Sequence, residues 1–211
     1  MLTIRPSSSQ RRFRNIADED VSIELKRRED AVQQDYLQAQ SLISDVMMSG
    51  LKSVDLSHLS NLIELPNSIS RCDSLQEINV SNTSIYDLSV VSNLKSLKKV
   101  CAYFTPLLNI DFVHSLTNVE WLCASATNIK DISPVRALRN LKYIDISHTN
   151  VSDISPLGGC ESLSEVILRD TNISSVEGLS KLNKIKILDV SKNNSLIFDP
   201  SLWQGVDVVI Y

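Results

Sequence analysis

The chain has 211 residues, of which 43% are hydrophobic and only 5% aromatic, with few glycines and prolines and a formal net charge of −4. This balance excludes a disordered or collagen-like chain, predicts an aliphatic core, and supplies no general field to attract nucleic acid or an anionic membrane. No run approaches the ~18 apolar residues needed to span a bilayer and the N-terminus lacks the apolar core of a secretory signal, so the expected location is intracellular, in the cytoplasm.

Residues 1–17 read as a flexible basic tail: Arg5, Arg11, Arg12 and Arg14 and three consecutive serines precede Asp18, the first acid. The same composition suits a mitochondrial presequence, and both readings stand. Contact with nucleic acid is expected only through this tail. From Asp18 to Ser49 apolar residues recur at steps of three, four or seven, at Leu25, Val32, Tyr36, Ala39, Ile43 and Val46, before a terminating Gly50. The periodicity predicts a helix over 18–50. Its position directly before a repeat array favours a cap on the array's first face over a free helix that docks a partner.

The array, 51–196, is the strongest signal. Apolar residues open successive units at Leu75, Leu97, Val119, Leu141, Leu163 and Ile185, each 22 residues after the last. Ile78, Val100, Leu122, Ile144, Val166 and Leu188 follow three residues on, then Val80, Ala102, Ala124, Ile146, Leu168 and Val190 two further. Eight residues after each start stands Thr83, Thr105, Thr127, Thr149, Thr171 or Asn193, where a short polar side chain is expected to serve buried amides and form a ladder. The far side of each coil closes on Leu94, Leu116, Leu138, Cys160 and Leu182. An earlier unit, Leu51, Val54 and Leu56, gives a longer first coil. About seven strands result, forming a parallel sheet on the order of 30 Å long at ~4.8 Å per neighbour.

The L-x-x-L-x-L pattern resembles that of leucine-rich repeats. The segments Thr127-Asn-Ile-Lys-Asp-Ile-Ser-Pro-Val135 and Thr149-Asn-Val-Ser-Asp-Ile-Ser-Pro-Leu157 are similar to the 22-residue subclass typified by a regulatory subunit of type-one protein phosphatase and by bacterial internalins. The resemblance covers Leu51 to about Leu196. It implies an α/β fold: a right-handed solenoid with a parallel concave sheet, capped by the N-terminal helix. The functions implied are diverse, from phosphatase regulation to spliceosomal assembly, axonemal dynein attachment and host-cell adhesion. In the closing segment, 197–211, Trp203 and the run 206–211 read as a last strand without an evident polar cap. Such an edge invites an end-to-end homodimer.

No catalytic constellation emerges, and no cofactor or metal is expected. His58, His114 and His148 lie in separate coils. Asp87, Asp131 and Asp153 recur in phase just before the convex turn, where a carboxylate accepts backbone N–H groups and starts a helical turn. Four cysteines are too sparse for a disulfide framework or zinc knuckle, which suits a reducing compartment. Cys72 and Cys160 replace packing leucines, whereas Cys101 and Cys123 are expected as outward neighbours on the sheet.

Strand alternation sends the third, fifth and seventh residues of each unit to the concave face. There the scarce aromatics collect in three consecutive coils: Trp121, Tyr143, Tyr103 and Phe104 are expected to form one contiguous patch, flanked by Lys99, Asp145, Glu165, Ile167 and Arg169. An aromatic centre with a charged rim is the usual anatomy of a protein-binding hot spot. The leading expectation is a non-catalytic scaffold with a protein partner on this face. The alternative is a structural subunit of a large ribonucleoprotein or mitochondrial assembly, its basic tail touching RNA.

Overall fold

The computed structural model describes residues 8–209, with side chains for 20–199 and 201–208. Arg5 of the basic tail, the side chains of Arg11, Arg12 and Arg14, and Ile210 and Tyr211 of the last predicted strand lie outside the described residues.

Helix α1, Ser8–Ser49, runs through a stretch with neither glycine nor proline. It stops at Gly50, whose φ of 62° is the left-handed conformation that ends a helix without a Cβ clash. The helix starts well before Asp18 and takes in residues 8–17, which the sequence reading placed in the tail. Only its C-terminal part meets the array. Ala39, Ile43 and Val46 are buried and Val32 and Tyr36 half-buried, while every residue from Asp20 to Asp30 is exposed. Leu25, expected on the packed face, is 56% exposed. At ~1.5 Å per residue the helix is about 63 Å long, more than one coil can cover, so its N-terminal part projects. Polar contacts set its register: Asp35 accepts hydrogen bonds from the backbone and side-chain amides of Asn61 at 2.8 and 3.2 Å.

Eight short parallel strands follow in chain order: β1 Ser53–Asp55, β2 Glu77–Asn79, β3 Lys99–Cys101, β4 Trp121–Cys123, β5 Tyr143–Asp145, β6 Glu165–Ile167, β7 Ile187–Asp189 and β8 Asp207–Val209. Each pairs in register with the next, so equivalent residues of successive coils stack. The eighth strand lies within the predicted closing segment. On the opposite side most coils cross by a 3-10 turn, such as Asp111–Ser115, Ser133–Ala137 and Ser155–Gly159.

The interior is a set of repeated columns. Ile78, Val100, Leu122, Ile144, Val166 and Leu188 are at most 1% exposed, and the far side closes on Leu94, Leu116, Leu138 and Cys160, all at 0%. Burying so many aliphatic side chains, each contributing roughly 1.5–3 kcal/mol, is what offsets the ordering of a chain with little regular secondary structure.

The threonines act differently from the expectation. Thr83, Thr105, Thr127, Thr149 and Thr171 each donate their hydroxyl to the carbonyl three residues back, at 2.7–3.0 Å. The bond stays within the coil because the hydroxyl lies closest to its own turn. A link between coils occurs at the last step, where the Thr171 hydroxyl and backbone N–H both donate to Asn193 Oδ1. The residue before each threonine, and before Asn193, takes a left-handed φ of 52–60°: Asn82, Phe104, Ala126, His148, Asp170 and Lys192. The in-phase aspartates build the turns as expected. Asp87, Asp131 and Asp153 accept from the N–H of Ser89, Ser133 and Ser155 at 2.7–2.8 Å.

Helix α1 covers the first coil, whereas β8 at the other end has no further strand beside it among the described residues. At the far end Trp203, 5% exposed, packs over the last coil beside Phe198 with ring centroids 6.1 Å apart. Among the described residues no helix is long and apolar enough to cross a membrane.

Candidate functional site

Because the strands pair in register, the first residues of β4 and β5, third in their repeat units, fall side by side. Trp121 and Tyr143 stack there, with ring centroids 3.6 Å apart and planes within 8°. Lys99, the equivalent residue of β3, places its ammonium 5.4 Å from the Trp121 ring centre, within range of a cation–π contact. Trp121 remains 37% exposed. Burial, then the nearby charges of Asp145, Cys123 and Glu165, push the Tyr143 phenol upward, so it stays a neutral hydrogen-bonding group across the physiological range. Just behind the stack Lys142 donates to Glu120 at 2.6 Å.

Tyr103 and Phe104 form a second ring pair, with centroids 6.0 Å apart. They are 45% and 63% exposed. The four aromatics of the expected patch thus contact one another two by two. No ring contact joins the pairs among the described residues, because the third and seventh positions lie about 13 Å apart along a strand. Cys101 and Cys123, at the fifth position, occupy the gap between them. Phe104 also stands at the left-handed position, φ 53°, where a bulky residue is strained. Its counterpart in the preceding coil is Asn82, a residue that tolerates this conformation.

Of the predicted charged rim, Asp145 is already occupied. It accepts the N–H and hydroxyl of Ser147 at 2.9 and 2.6 Å and the hydroxyl of Ser125 at 3.0 Å. Asp55 and Asp189 accept in the same way from Ser57 and Ser191. For Asp55 burial alone would raise the carboxyl, but the hydrogen bonds from Ser57 outweigh it and hold the group below its ordinary value. Glu165, Ile167 and Arg169 are half-buried on and just beyond β6. The Nε of Arg169 is buried without a hydrogen-bond partner among the described residues. Acids outnumber bases on this face: Asp55, Glu77, Asp145, Glu165 and Asp189 stand against Lys99 and Arg169.

The sequence reading passed over one surface. Tyr86 and Leu108, 51% and 61% exposed, occupy equivalent positions in neighbouring coils, joined by the Leu108 N–H to the Tyr86 carbonyl at 3.4 Å. The signal was present in the 22-residue spacing, but only the strand columns were read for exposed apolar residues. The histidines form no cluster. His148 pairs with Asp170 at 2.9 Å and His58 with Gln38 at 3.1 Å. Among the described residues no group of three or more His, Cys, Asp or Glu could hold a metal ion.

Residues 117–159 match the family described as leucine rich repeats, in two copies. No curated protein matches the chain. Among solved structures, the chain is similar to internalin C2 from Listeria monocytogenes str. 4b F2365, with a TM-score of 0.67, 18% identity, and coverage of 86% of this chain and 92% of that one. It is also similar to the internalin inlF from the same strain, with a TM-score of 0.64, 20% identity, and coverage of 74% of this chain and 48% of that one. Residues 117–159 therefore carry the leucine-rich-repeat signature, and the array around them has the solenoid fold of the internalin structures.

Proposed function

We propose that the chain is a non-catalytic interaction scaffold that grips a protein partner on its concave face, with Trp121 and Tyr143 as the anchors and a regulatory outcome. The observation that carries this reading is the exposed Trp121–Tyr143 stack. Its rings lie outside the aliphatic core, and a flat aromatic pair ringed by charge is the kind of surface that dominates protein interfaces. The excess of carboxylates around it favours a partner segment that presents lysine or arginine. Such a segment gains both from the charge and from stacking a guanidinium on the exposed rings.

The test is to replace Lys99, Glu165 or the convex-side Lys130 singly with a photo-crosslinking residue and irradiate in the native cell. The same partner should be trapped from Lys99 and Glu165 and not from Lys130. Adducts from Lys130 alone would move the binding surface off the sheet.

A further inference from the structure

On the concave face the fifth column carries a repeated device. Asp55, Asn79, Asp145 and Asp189 each accept the backbone N–H of the serine two residues on, at 2.9–3.1 Å, which fixes the turn that leaves the strand. Three coils depart from it: Ile167 offers no acceptor there, and two consecutive coils offer sulfur in place of oxygen. Cys101 and Cys123 take the place of the oxygen acceptors, and sulfur is the weaker acceptor. At Cys123 the sulfur lies 3.4 Å from the Ser125 hydroxyl and 3.8 Å from Asp145 Oδ2. Both thiols are half-buried on the sheet surface, while Cys72 and Cys160 are buried in the core.

The two cysteines are register partners on adjacent parallel strands, β3 and β4. Neighbouring strands run ~4.8 Å apart, and a disulfide accepts Cα separations of roughly 4.4–6.8 Å. Both side chains leave the same face of the sheet, so their Cβ vectors are alike in direction. Two thiols held this way need little further ordering to meet, whereas a chance pair on a surface must first be brought together.

We propose that Cys101 and Cys123 form a reversible dithiol–disulfide site, closed by exchange with a small-molecule disulfide such as oxidised glutathione. The thiolate of one cysteine attacks a sulfur of the small disulfide and releases one thiolate, leaving a mixed disulfide. The second cysteine, as thiolate, attacks the protein sulfur of that mixed disulfide and releases the other. The two protons lost by the protein end on the two released thiols, the protein pair is oxidised by two electrons, and the small disulfide is reduced. Burial, the first cause, pushes both thiols above the usual thiol range, so little thiolate is present at neutral pH and closure is a slow step that quickens with rising pH. The site is independent of any partner on this face.

The experiment exposes the reduced full-length chain to oxidised glutathione, blocks remaining thiols with an alkylating reagent, and weighs the tryptic peptide from Val100 to Lys130, which contains both cysteines. The expected product is that peptide lighter by two hydrogen atoms and free of alkylation, restored to two alkylated cysteines by prior reduction. In the Cys101→Ser protein the same treatment should instead leave Cys123 carrying glutathione, and Cys123→Ser should do the converse at Cys101. Circular dichroism on both variants checks that the array is folded. A wild-type peptide carrying two glutathiones, or two alkyl groups after the longest exposure, would overturn the proposal.

Discussion

The interior columns and the concave face are built from the same strands by opposite rules. Inside, a position holds the same kind of side chain in coil after coil: an aliphatic at the centre of every strand, a threonine at five successive inward turns. On the face, the third column changes from Glu77 to Lys99 to Trp121 to Tyr143 to Glu165 within five strands. Where the fold needs a residue, every coil supplies it, because each coil rests only on its neighbours and one poor layer weakens the stack. Departures from repetition therefore mark positions the fold leaves free. The aromatic first residues of β4 and β5 and the thiol third residues of β3 and β4 are such departures.

The largest expected effect comes from removing a covering of the interior. Deleting residues 1–50 uncovers the apolar side of the first coil where Ala39, Ile43 and Val46 pack, and the array should aggregate or lose cooperative unfolding in a denaturant titration. Deleting only residues 1–30 removes the exposed stretch from Asp20 to Asp30 and should leave the transition midpoint within error of the full chain. A stable monomer lacking 1–50 would break the division between covering and free surface.

A smaller effect is expected within a repeated column. Thr149→Val removes the hydroxyl bond to the Ile146 carbonyl, 2.7 Å long and buried, and should cost about 1–3 kcal/mol in chemical denaturation. An unchanged midpoint would show that the column is tolerated rather than required. The smallest effect has the opposite sign. Phe104→Asn places at φ 53° the residue type that the preceding coil uses there, and relief of backbone strain should raise stability by ~0.5–1 kcal/mol. A loss of stability would mean that the Phe104 ring packs for the fold, which would blur the comparison instead of sharpening it.

The repeating half of this division was open to sequence reading and the other half only partly so. A period of 22 residues places Ile144 inside and Tyr143 outside without any coordinates, since strand alternation does the rest. The turn aspartates were readable for the same reason: Asp131 and Asp153 precede Ser-Pro in phase. Distances across the face were not. The separation of Tyr103 from Trp121 depends on how far apart the third and seventh positions fall along the strand. The reach of α1 escaped the pattern because Leu25 continues the helical spacing while the coil beneath has already ended. The threonine bonds fell within the coil because a hydroxyl reaches its own turn before its neighbour's.

The central claim is that the Trp121–Tyr143 stack belongs to a partner and not to the fold. Its most direct test measures thermal melting and partner capture together for Trp121→Ala and Tyr143→Ala, with Ile144→Ala from the same strand as the interior control. The two face variants should melt like the parent and bind at least about thirtyfold more weakly, a loss of roughly 2 kcal/mol. Ile144→Ala, fully buried, should lose about 2–5 kcal/mol of stability. Face variants that capture the partner as well as the parent, or that melt as early as Ile144→Ala, would contradict the account.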